Sequence, residues 1–179
     1  MSHAEDYFAL FGLSPSYELD LSVLTERHRA LQRTVHPDKF AAGSDRERLI
    51  AVQRAALINE AFETLASPVR RAHYLLAQAG RVREGEHITL KDPAFLMEQM
   101  ELREELDEIK HEADPEASLA RFAERVGQAL DATISEIALQ FRDGSSEAMT
   151  KAEHAVSKLQ FFEKLQDEIT RLEDRFLGL

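Results

Sequence analysis

Val35-His36-Pro37-Asp38-Lys39 lies where one helical pattern stops and before the next begins. Upstream of it, Leu21, Leu24, Leu31 and Val35 recur at helical spacing, and His28 fills the remaining place in the row. Pro37 lacks a backbone donor and biases His36 away from helical geometry, so the helix is expected to end there. Asp38 and Lys39 then fall on a loop. The next start signal is Ser44 with Glu47 three residues on, the pattern of a capping box. An imidazole and a carboxylate are therefore expected at the stiff exit of a helix, facing water. Taken alone, the tripeptide is a helix stop with polar decoration.

Working outward, almost every segment reads as helix. Asp6 to Leu13 is a short amphipathic piece broken by Gly12, Ser14 and Pro15, and Asp20 can cap the helix that runs to Val35. From Ser44 a longer helix carries Leu49, Val52, Ala56, Asn59, Phe62 and Leu65, and a further one runs from Pro68 to Ala79. Ser67-Pro68, Asp92-Pro93 and Asp114-Pro115 each place a capping side chain before a proline at the first helical position. Asp143-Gly144-Ser145-Ser146 supplies the last break. The expectation is an all-α chain. A small helical domain spans 1–79, a linker 80–91, and an antiparallel three-helix bundle 92–179.

The 179 residues include no Cys, which excludes disulfides, thiolate metal sites and a Cys nucleophile. No apolar run approaches membrane-spanning length, and the N-terminus lacks a secretory layout, so the cytoplasm is the expected compartment. The net charge of −11 is unevenly placed. Residues 1–80 carry 9 Lys/Arg against 10 Asp/Glu, and residues 81–179 carry 13 against 23. An acidic helical half opposes nucleic-acid binding, which requires phosphate neutralisation.

Two faces stand out. Arg27, Arg29 and Arg33 form a modest basic stripe beside His36. On the helix opened by Pro93, the residues Phe95, Leu102, Leu106 and Ile109 fall within about 60° of one another and make the natural core stripe. Leu96, Met97 and Met100 lie on the other side with Glu101, Glu104 and Glu108. Either a neighbouring helix covers them, or they form a partner patch in which adaptable Met and Leu give burial and Glu gives charge selection. On the last helix Ala155, Phe162, Leu165, Ile169 and Phe176 make a clean stripe, with Phe161 at its edge.

The sequence carries little that resembles catalytic chemistry. Gly80 to Gly85 has the spacing of a phosphate loop, but Glu86 stands where that loop needs Lys. Glu108-Ile-Lys-His111 has the Glu-x-x-His spacing of helical di-iron sites, yet its only companion, Glu84-Gly-Glu-His87, lies in the expected linker. No catalytic, metal or cofactor site is expected.

Ile58-Asn59-Glu60-Ala61-Phe62-Glu63-Thr64-Leu65 and Ser67-Pro68-Val69-Arg70-Arg71-Ala72-His73-Tyr74, in register behind His36-Pro37-Asp38, resemble a J-domain. The rest of the chain, above all Phe95 to Glu108, resembles the HscB family, co-chaperones of bacterial iron–sulfur cluster assembly. The resemblance implies docking on an HscA-type chaperone through His36, Pro37 and Asp38, with Arg27, Arg29 and Arg33 steering toward its acidic surface. It implies an IscU-type scaffold held by Leu96, Met97, Met100, Glu101, Glu104, Glu108 and Phe161. The chain would deliver the scaffold and accelerate the chaperone's ATP hydrolysis. Val35 stands where J-domains commonly have an aromatic, and Ala30 and Thr34 where Lys is frequent, which fits a dedicated chaperone. Two other readings compete: a helical di-iron enzyme using His111, and a nucleic-acid binder using the three arginines.

Overall fold

The computed structural model describes residues 6–36, 43–81 and 92–177. Its order is α1 (Tyr7–Leu10), α2 (Leu21–Val35), α3 (Asp45–Ala66), α4 (Pro68–Gln78), α5 (Pro93–Ile109), α6 (Pro115–Asp143) and α7 (Ser146–Leu177), with no strand among the described residues. The chain divides into two compact units, Met1–Ala79 and Gly80–Leu179. Pro37 and Asp38, and nearly all of the expected linker, lie outside the described residues.

The caps form as the sequence dictates. The Asp20 carboxylate accepts from the backbone N–H of Ser22 at 2.8 Å and of Val23 at 3.3 Å, and so starts α2. Ser44 and Glu47 close the capping box of α3 reciprocally, at 3.3 and 2.7 Å. These bonds favour the ionised form, so both carboxyls titrate below their ordinary range. Asp92 and Asp114 cap α5 and α6, and Gly144, at φ 70°, closes α6 in the left-handed conformation that glycine adopts without strain.

In the first unit α2 and α3 form a hairpin over a core of Phe8, Phe11, Leu24, Val35, Ile58, Ala61 and Leu65. His28 stacks on Phe62 with ring centres 4.2 Å apart, and its Nε2 lies 3.0 Å from Asn59 Oδ1. Gln32 also donates to Asn59. Moving up α2 from His28 to Gln32 thus shifts the contact down α3 from Phe62 to Asn59, the antiparallel sense. Arg71 of α4 is buried. Its Nη1 donates to the Leu65 carbonyl at 2.6 Å, and its guanidinium lies 5.1 Å from the centre of the Tyr17 ring.

Two expected apolar rows are corrected in part. Leu21 is exposed, and so are Leu49, Val52, Ala56 and Asn59 of the apolar row proposed for α3. The buried row is Ala51, Ile58, Ala61 and Leu65. Both rows have helical spacing and share Leu65, and the row that faces inward is the one whose Ile58 and Ala61 pack with Phe8 and Phe11 at α1 and with Leu24 and Val35 of α2.

In the second unit α6 and α7 make a long antiparallel hairpin with α5 laid against it. Its core joins Phe95, Leu106 and Ile109 to Leu119, Phe122 and Val126 and to Phe161, Phe162, Leu165, Ile169 and Leu172. Arg81 ties the start of the unit to α7. It donates to the Ser146 carbonyl at 2.8 Å and to Thr150 Oγ1 at 3.2 Å, and pairs with Glu153 at 3.4 Å.

Candidate functional site

α5 is long enough to present two faces. Phe95, Leu106 and Ile109 turn inward, which leaves Leu96, Met97 and Met100 to solvent at 42%, 62% and 65% exposure. Glu101, Glu104 and Glu108 are exposed on the same side. An apolar strip bordered by carboxylates is therefore present, with none of the described helices of its own unit over it. It suits a partner that offers an apolar surface edged by cations.

Phe161 is not part of that exposed strip. It is 6% exposed and belongs to the core, its ring edge-on to Phe95 at 5.7 Å and to Phe162 at 5.5 Å. A position at the edge of a helical stripe is settled by its neighbours, and here two aromatic rings draw it in. Arg103 covers it, with the guanidinium 5.8 Å from the ring centre. Arg103 is two turns along from Leu96 and adds a cation to an otherwise acidic face. That i, i+7 relation is visible in the sequence, but the surrounding glutamates obscured it.

The basic stripe of α2 also divides. Arg29 and Arg33 are exposed and line a shallow groove with Leu21, Ser22, Thr25, Glu26 and Ala30. Arg27 is taken up locally: it donates to the Phe11 carbonyl at 2.6 Å and to the Gly12 carbonyl, pinning the end of α1. His36 is exposed at the C-terminus of α2, with φ −57° and ψ 133°, already out of helical geometry as the following proline requires. Pro37 and Asp38 lie outside the described residues.

Among the described residues no three His, Asp or Glu side chains gather as metal ligands, and no helix is long and apolar enough to cross a membrane. Glu108 and His111 sit exposed at the end of α5. Glu84 and His87 lie outside the described residues.

The two helical units, one with an exposed histidine at a helix exit and the other a bundle with an acid-rimmed apolar face, have the architecture of a J-domain followed by a C-terminal helical bundle. The comparisons give the particular family. Residues 91–170 match the family model described as the HSCB C-terminal oligomerisation domain. The chain is 47% identical over 173 residues to the co-chaperone protein HscB homolog of Vibrio atlanticus, covering 97% of this chain and 99% of that one. Among solved structures, the chaperone HscB from Vibrio cholerae superimposes with a TM-score of 0.87 at 44% identity, covering 96% of this chain and 99% of that one. Human co-chaperone HscB superimposes at 0.85 and 28% identity, covering 97% and 84%. The chain belongs to the HscB family of iron–sulfur co-chaperones.

Proposed function

We propose that this co-chaperone joins two proteins: an IscU-type iron–sulfur scaffold, held on the α5 face, and an HscA-type chaperone, docked on the α2 exit. The domain limits that serve this reading are 1–79 for the J-domain, 80–91 for the linker and 92–179 for the scaffold-binding bundle, working in the cytoplasm. The observation that carries it is the exposed Leu96-Met97-Met100 strip with Glu101, Glu104 and Glu108 at its border. Three large apolar side chains presented by an already formed helix require no backbone ordering on binding, so their burial contributes to affinity.

No catalytic group is required of this chain. A partner accelerates the chaperone by binding its hydrolysis-competent conformation better than the other, and it shifts the equilibrium only by that difference in affinity. His36, with Pro37 and Asp38, offers a preorganised polar contact for this purpose, and Arg29 and Arg33 steer the approach. Arg27 belongs to the fold rather than to the contact.

The test is a pair of variants read by two assays. Leu96→Ala with Met97→Ala and Met100→Ala is expected to weaken scaffold binding, measured by titration calorimetry, more than tenfold while leaving helicity intact. His36→Gln is expected to abolish stimulation of the chaperone's ATPase and leave scaffold affinity unchanged. Wild-type stimulation by His36→Gln would sink the chaperone assignment, and unchanged scaffold affinity in the triple variant would sink the other half.

A further inference from the structure

The first three turns of α3 carry an apolar strip that the core does not use. Leu49 and Val52 are 57% and 58% exposed, and Ala56 is exposed beside them. At about 100° per residue the three fall within about 60° of one another, directly opposite the buried row of Ala51, Ile58, Ala61 and Leu65. Single exposed aliphatics are ordinary, but a coherent strip turned away from the core of its own unit is a mark of a binding surface. Ile50 is exposed to a similar degree, at 54%, yet lies about 100° or more around the helix from each of the three.

The position of the strip decides what it meets. Val52 is seven residues before Asn59 and so lies on the same line of α3, about 10 Å nearer its start. Asn59 is the residue that His28 and Gln32 of α2 contact. Because the two helices run antiparallel, moving two turns back along α3 moves two turns forward along α2, from the His28–Gln32 level to the exit where His36 stands. On α2, Arg29 and His36 flank Gln32 on its solvent side, at about 60° and about 40° around the helix. Arg29, His36, Val52 and Leu49 therefore share one side of the hairpin.

We infer that the chaperone-docking surface extends beyond the basic face of α2 and the His36 exit onto the Leu49-Val52-Ala56 strip of α3, which receives an apolar ridge adjoining the chaperone's acidic surface. This rests on the docking role proposed above and deepens it. The arginines supply encounter and orientation, which salt screens, and the strip supplies burial, which salt does not weaken. The strip lies on the same side of the α2–α3 hairpin as Arg29 and His36, so a single partner can cover both.

The test measures ATP hydrolysis by a purified HscA-type chaperone against increasing concentrations of the full chain. Leu49→Gln with Val52→Gln is expected to raise the half-maximal concentration about tenfold, the effect of losing two buried aliphatic contacts. Ile50→Gln is expected to stay within twofold of wild type. Leu49→Ala with Val52→Ala keeps the highest helix propensity and is expected to act in the same direction, so the reading stands even if the Gln pair melts low. A double variant indistinguishable from wild type overturns the inference, as does an equal loss in Ile50→Gln. So does a wild-type dimer in sedimentation velocity that the double variant dissociates, because the strip would then serve a second copy of this chain. His36→Gln included in parallel separates the failures. If it stimulates normally, the docking role itself is wrong; if it is inactive while the double variant is normal, only the α3 extension is wrong.

Discussion

Arg27 and Arg29 stand two residues apart on α2 and do different work. About 200° of helix separates them, so Arg27 reaches back to the carbonyls of Phe11 and Gly12 while Arg29 faces the outer groove. Arg27→Ala should lower the melting temperature, by about 1 kcal/mol of stability for the lost charge-assisted bonds, and leave chaperone stimulation per folded molecule unchanged. Arg29→Ala with Arg33→Ala should do the reverse, with a loss of stimulation that is largest at low ionic strength and shrinks as salt screens the wild type. The sequence shows three arginines on one helix; which of them finds a carbonyl depends on how the α1 turn packs, and spacing along α2 does not contain that. Glu163 of α7 is a second residue-scale case. Burial, and then the nearby Asp167 carboxylate, raise its pKa. Its charge is therefore a cost to the folded state at neutral pH, and the cost disappears as pH falls below the ordinary carboxylate range. Glu163→Gln should melt higher than wild type at pH 7, and the gap should close near pH 4. A constant gap across that range would contradict the charge-based cause.

At the scale of elements, α5 was legible because its two faces differ in kind. Phe95, Leu106 and Ile109 recur at core spacing, and the glutamates fix the opposite side as solvent. α3 was legible as a helix but not in its orientation. Its two apolar rows, one through Ala51, Ile58 and Ala61 and one through Leu49 and Val52, satisfy the same periodicity, and only packing against the rest of the unit chooses between them. Phe161 failed to declare itself for a similar reason, since one residue at the edge of a stripe has no periodicity of its own. Its place among Phe95 and Phe162 makes a distinct prediction. Phe161→Ala should cost about 3–5 kcal/mol in denaturant unfolding, in the range of large-to-small aromatic changes in a core. The exposed triple Leu96→Ala, Met97→Ala and Met100→Ala should change stability by about 1 kcal/mol or less. If the triple destabilises as much as Phe161→Ala, the strip is core and the partner face is lost with it.

For the whole molecule, the proposed joining role would give the unequal charge of the two halves a use. The nearly neutral N-terminal half presents Arg29, Arg33 and His36, and the strongly acidic C-terminal half presents an apolar strip among carboxylates. The two faces suit partners of different chemistry, and covalent linkage raises the effective concentration of one partner beside the other. With little catalytic chemistry in the sequence, a joining function is the reading proposed, and family membership shows a co-chaperone. The central claim is that one chain must hold both partners. The measurement that tests it most directly is chaperone ATP hydrolysis in the presence of the scaffold, with His36→Gln and the Leu96→Ala, Met97→Ala, Met100→Ala variant added together in equal amounts. Each variant retains one working face, so the mixture holds every contact but no molecule that bears both. The joint stimulation seen with the wild-type chain and scaffold is predicted to be absent from the mixture. Full joint stimulation by the mixture would contradict the account.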